Sequence, residues 1–104
     1  DRLVEMNFGS YEGRLWRDIG KDAMDVWTAD FWYYRFGGAQ SVAEFMASVA
    51  AAWDDHGASN GDAIWVTHAG VIRACSLLAR GRRDQVQAHE WPANVVETGG
   101  LVCL

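Results

Sequence analysis

Basic residues are scarce in this chain. Nine Lys and Arg stand against fourteen Asp and Glu, a net charge of -5 over 104 residues. No basic face dominates, which argues against a nucleic-acid binder or a protein held to anionic membranes by charge. Cysteine is nearly absent. Cys75 and Cys103 are too few and too far apart for a zinc motif or a disulfide framework. Each falls in an apolar run, so both read as small buried hydrophobes of a reducing, cytoplasmic protein. No apolar stretch approaches the ~20 residues a membrane-spanning helix needs. A secretory leader is missing, and the chain opens on Asp1-Arg2 with no initiator methionine. That opening suggests that Asp1 is not the natural start of a gene product. Neither G-x-G-x-x-G nor G-x-x-x-x-G-K-[ST] occurs, which excludes the common nucleotide-binding loops. There are no repeats, low-complexity segments or domain linkers, so residues 1–104 form one domain or part of one.

What is present is an ordinary globular balance, half hydrophobic, with six tryptophans whose burial needs a real core. Residues 15–28 carry Leu15, Trp16, Ile19, Ala23, Met24 and Trp27 at helical spacing, interrupted by Gly20. They predict one or two short helices. The aromatic stretch 29–40 reads as a surface loop over the core or as a pocket lid. Ser41 with Glu44 forms a capping box. It opens a helix whose apolar face runs Val42, Phe45, Met46, Val49, Ala52 and Trp53, and which should stop near His56-Gly57. Ala63 to Thr67 reads as a short interior parallel strand, apolar on both faces. Val71 to Arg80 returns to helical spacing, and residues 91–104 read as one or two further strands. Helix, strand and helix in that order predict an α/β fold.

The stretch DAIWVTHAGVIR, residues 62–73, places a histidine where that strand would give way to a helix. Such loops are where α/β folds hold ligands, and the helix start offers unpaired N–H groups and a positive dipole end to an anion. His68 is then either a phosphate-binding group or a hydrogen-bonded strand-end histidine. Gly70 lets the backbone approach a ligand closely. Arg73, one turn on, is a structural tether or a ligand contact. In LVEMNFGSYEGRLW, residues 3–16, Glu5 would project from a short strand into a cleft and serve as a proton donor if partly desolvated. Glu12, between Tyr11 and Gly13, better fits a capping or surface role. Arg80, Arg82 and Arg83 form a charged helix end or a phosphate contact.

These stretches together resemble the histidine phosphatase superfamily, the phosphoglycerate mutase-like proteins. LVEMNFGSYEGRLWRDI carries a leucine, glutamate, phenylalanine-glycine and aromatic-glutamate-glycine series of that family. VTHAGVIR is similar to its second histidine motif, and GGAQS to its glycine-glycine-glutamate-serine motif. The resemblance implies a three-layer α/β/α domain with a mostly parallel sheet. It also implies attack on phosphorus by a histidine from an arginine-histidine-glycine motif, through a phosphohistidine. By motif position it makes Glu5 the proton donor and His68 the second histidine of the phosphate pocket. The backbone N–H of Ala69 joins the phosphate cradle. It implies a small phosphorylated substrate and no metal or organic cofactor. FGSYEGRLWRDI looks more like the small bacterial phosphatases, including α-ribazole phosphatase, than like the mutases, which carry a longer arginine-rich insertion.

The chain departs from the family in one large respect. No arginine-histidine-glycine triplet occurs in it. The nucleophile lies upstream of the glutamate motif in the family, so residues 1–104 are expected to be the C-terminal portion of a single domain, inactive alone. The sheet would then be incomplete, with an exposed apolar edge open to self-association. A non-catalytic phosphate-binding or interaction fragment is the competing reading. Gln40 stands where a glutamate is usual, Ser48 where an arginine is frequent, and Ala69 where glycine is usual.

Overall fold

Helix-period patterning decides what the computed structural model shows over residues 5–58 and 69–92, the residues it describes. A 3-10 turn at Gly9–Tyr11 leads to α1 (Trp16–Ile19), α2 (Lys21–Ala29), α3 (Val42–Ala58) and α4 (Ala69–Ala79), followed by a second 3-10 turn at Ala88–Glu90. Gly20 separates α1 from α2, as the interrupted spacing predicts.

The longest helix starts where its cap dictates. Ser41 Oγ accepts the Glu44 N–H at 3.1 Å, while Glu44 Oε1 accepts the Ser41 N–H at 2.9 Å. Two orphan donors of the first turn are thereby satisfied reciprocally, worth on the order of 1 kcal/mol. The Ser41 N–H, with Ser41 Oγ and the Arg35 guanidinium 2.7 Å away, holds the Glu44 carboxyl below its ordinary range. From that start, Val42, Phe45, Met46 and Val49 are buried almost completely, and α3 packs against α4. Val71, Ala74, Cys75, Leu77 and Leu78 supply the facing side of α4.

Aromatic residues close the other end of the core. Trp27 stacks on Phe36 with ring centroids 4.3 Å apart, and on Phe31 at 5.3 Å. Phe8 meets Phe36 edge-on at 6.3 Å, and Trp91 meets Phe31 edge-on at 5.9 Å. Phe31, Trp32 and Phe36 are therefore core residues, and only Tyr33 and Tyr34 of that aromatic run are exposed. The expectation of a surface loop or lid over 29–40 holds for the tyrosines alone. The reason is volume: short helices cannot fill a core with Ala and Val, and large rings bury 150–250 Å² each, roughly.

The fold class requires correction. An α/β domain with a mostly parallel sheet was expected, yet the described residues hold helices and turns and no strand. Residues 5–10 show the physical reason at the place where an extended strand was expected to end. A strand must give its amides to a neighbouring ladder. Here the Met6, Asn7, Phe8 and Gly9 N–H groups donate instead to side-chain oxygens of Glu5, Gln40, Glu12 and Asn7. Helices satisfy their backbones internally and need no ladder. The strand reading of 63–67, and that of 91–104 beyond Pro92, fall on residues outside those described, and with them the sheet edge expected to drive self-association; Trp91 and Pro92 themselves are not in a strand. No helix among the described residues is long and apolar enough to cross a membrane.

Candidate functional site

The glutamate motif is held by an interlock of two glycine turns. Ser10 N–H donates to the Gly37 carbonyl at 2.9 Å. A Cβ on Gly9 would lie 2.2 Å from that carbonyl oxygen, and one on Gly37 would lie 1.6 Å from the carbonyl oxygen of Phe8. Both glycines also have positive φ, 53° and 84°. Any side chain at either position would collide with backbone and strain the turn. The sequences FGS and FGG thus cross without side chains between them.

That crossing aims Glu5 at α4. Glu5 Oε2 accepts the Gly70 N–H at 3.0 Å, across 65 residues of sequence. Glu5 Oε1 accepts the adjacent Met6 N–H, also at 3.0 Å. Gly70 is the second residue of α4, where backbone donors have no helical acceptor and the dipole favours negative charge. A Cβ at position 70 would stand 2.1 Å from Glu5 Oε1 and 2.9 Å from its Cδ. Glycine at 70 therefore makes room for the carboxyl group. Gly70 lies within the helix, so its missing Cβ serves the Glu5 side chain and not a turn.

Glu5 and Ala69 are thus brought to the same helix start, the carboxyl bonded to the residue next to Ala69. His68 and Thr67 lie outside the described residues. Arg73 is half-buried on α4, one turn beyond Gly70. Glu12 has the capping role expected of it: Oε1 accepts the Phe8 N–H at 2.6 Å. Beside it opens a cleft of about 200 Å³ lined by Phe8, Tyr11, Glu12, Arg14, Ile19 and Phe36, and Glu5 is not among its lining residues.

Two of the three clustered arginines serve structure. Arg83 makes a two-pronged pair with Asp54, at 2.6 and 3.1 Å, and its hydrogen bonds hold the Asp54 carboxyl below its ordinary range. Arg82 pairs with Glu90. The Arg82 hydrogen bond, then the Gln87 N–H, lowers Glu90 to about 2. Cys75 is buried, and burial pushes its thiol up to about 11. A serine-hydrolase spacing, Gly-x-Ser-x-Gly, occurs at 57–61. Its first glycine lies in the last turn of α3, so a helix leads into it where a nucleophile elbow needs a strand. Ser59 itself lies outside the described residues.

Sequence reasoning marked Gln40 only as a departure from the family and missed its contact: Oε1 accepts the Asn7 N–H at 2.7 Å. The signal was available: Gln40 sits between a glycine pair and a helix cap, where a long side chain has no helix surface to cover. The family resemblance places a glutamate at this position. The carboxamide keeps an acceptor oxygen for the same backbone donor.

The sequence model of the histidine phosphatase superfamily (branch 1) matches residues 1–97. No curated protein and no solved structure gives a significant match. The chain belongs to the histidine phosphatase superfamily.

Proposed function

We propose that this member of the histidine phosphatase superfamily contributes the proton donor and part of the phosphate cradle to a phosphomonoester hydrolase. One observation supports the reading most: the Glu5 carboxyl lies on the Gly70 N–H, at the start of the helix that follows the His68 motif. In the proposed reaction a histidine nitrogen attacks phosphorus and the P–O ester bond breaks. The bonding pair leaves with the alcohol oxygen, which takes the proton of Glu5. Water then attacks the phosphohistidine, returns a proton to the Glu5 carboxylate and releases phosphate with the histidine restored. Splitting one displacement into two is the value of the covalent step.

His68 and the Ala69 N–H are assigned to holding the phosphoryl oxygens, where charge is dispersed during transfer. The attacking histidine belongs to an arginine-histidine-glycine triplet, which these 104 residues do not contain. We therefore assign the nucleophile to sequence upstream of this chain in a longer protein, and 1–104 to the C-terminal portion of one domain, inactive by itself. The lack of a mutase-type arginine-rich insertion favours hydrolysis, with an α-ribazole phosphatase-like substrate as the working choice. The unpaired thiol of Cys75 suits a cytoplasmic setting. The same missing triplet supports a second reading, a phosphate-binding fragment without turnover.

The test compares leaving groups in the full-length protein. Glu5→Gln should lower turnover of an alkyl phosphate by about 10²-fold or more while sparing p-nitrophenyl phosphate, whose leaving group needs no proton. His68→Ala should depress both. Equal loss on the two substrates in Glu5→Gln would remove Glu5 from proton donation. Full activity in His68→Ala would remove His68 from the pocket.

A further inference from the structure

We propose that Gln40 is a positioning residue for Glu5, acting through the backbone of Asn7. The inference rests on the reading of Glu5 as proton donor. Among the described residues, 5–10 have no strand neighbour, and their amides are tied to side-chain and loop oxygens instead. The Met6, Phe8 and Gly9 amides donate to oxygens within four residues of themselves. Those ties shape the segment but fix it to nothing else. The Asn7 amide is different: its acceptor, Gln40 Oε1, lies 33 residues away at 2.7 Å. Among the described residues it is the long-range backbone tie on this segment nearest to Glu5, since the Ser10–Gly37 bond lies three residues further along.

Gln40 is itself anchored. It precedes Ser41, whose reciprocal bonds with Glu44 fix the start of α3. Helix α3 packs on α4, and α4 presents the Gly70 N–H to the other oxygen of Glu5. The contacts close a ring from Glu5 through Gly70, α4, α3, Ser41, Gln40 and Asn7 back to Glu5. Cutting the ring at Gln40 removes the tie beside Glu5 while the buried Met6 side chain keeps the segment on the core, so the carboxyl shifts on the scale of about 1 Å, more than a preorganised site tolerates.

The test uses Gln40→Leu, which fills a similar volume and removes the acceptor, and Gln40→Glu, which restores one. In the full-length protein, Gln40→Leu should lower kcat on an alkyl phosphate by about tenfold with KM unchanged and leave p-nitrophenyl phosphate untouched, because misplacement on the 1 Å scale costs up to about 10²-fold. Gln40→Glu should recover the loss. Amide exchange at Asn7 and Gly70 should quicken in Gln40→Leu and return to wild-type rates in Gln40→Glu. Equal loss on both substrates, or no recovery in Gln40→Glu, overturns the proposal, as does unchanged exchange at Gly70. If Glu5→Gln also treats both substrates alike, the proton-donor reading has failed. Gly70 exchange then decides by itself whether Gln40 positions the Glu5 side chain.

Discussion

Replacing Gly70 by alanine separates the space at this site from the stability of the fold. The added Cβ would fall 2.1 Å from Glu5 Oε1, so the carboxyl must leave the Gly70 N–H. The obstruction is the far end of a flexible side chain, so the backbone of α4 need not move. Alanine in a helix is favoured over glycine by about 0.5–1 kcal/mol. The lost hydrogen bond to a charged acceptor removes roughly 1.5–3 kcal/mol. Glu5 is only half-buried and water takes over part of that bond, so the lower end applies. The net change is a loss of about 1 kcal/mol, or a melting temperature lower by about 4–8 °C in a chain this size. Activity should suffer far more: turnover of an alkyl phosphate by the full-length protein falls by about 10²-fold, with p-nitrophenyl phosphate spared. Paired thermal denaturation and kinetics decide the matter. Alkyl phosphate turnover at the wild-type rate would refute the reasoning, because the displaced carboxyl would have no role. Destabilisation well beyond about 3 kcal/mol would refute it too, since the helix rather than the side chain would have yielded.

Other outcomes follow from the same coordinates. Glu90 is lowered to about 2 by Arg82 and the Gln87 N–H. A depressed folded value means stability present above the ordinary carboxyl range and lost as pH falls through about 2. Glu90→Gln should flatten that acid limb of a pH series of denaturation curves, and an unchanged slope would contradict the pairing. Cys75, raised to about 11 by burial, should resist a thiol reagent in native Cys103→Ser protein at pH 8 and react only on unfolding. Native labelling at a free-thiol rate would show the α3–α4 interface to be open. Phe36→Ala, at a ring 1 % exposed and stacked on Trp27, should cost about 3–5 kcal/mol in chemical denaturation. A loss under about 1 kcal/mol would mean that the aromatic cluster is not core.

How far the sequence reveals this molecule depends on the range of the interaction concerned. The start of α3 was legible because Ser41 and Glu44 bond within one turn. Its apolar face was legible because helical period is local. The Gly20 break between α1 and α2 belongs to the same class. The aromatic run at 31–36 was misjudged because composition cannot say which rings turn inward. Trp27 and Phe8 decide that for Phe36, from other segments. The extended residues before Gly9 looked like a strand by composition, but Gln40 and Glu12 supply the acceptors that a ladder would have supplied. At the candidate site, motif order brought out Glu5 and Ala69 individually. Their meeting at Gly70, across 65 residues, is a tertiary fact with no local signal. Gly70 illustrates the limit: the sequence shows a glycine, and only the fold shows that its missing Cβ is filled by a carboxyl.

The most direct measurement is hydrogen exchange at the Gly70 amide, compared in wild-type and Glu5→Ala protein. With the carboxyl seated on this N–H, exchange should be slow in the wild type and should quicken in the variant. A Gly70 amide that exchanges equally fast in both proteins would contradict the placement of Glu5 at the start of α4.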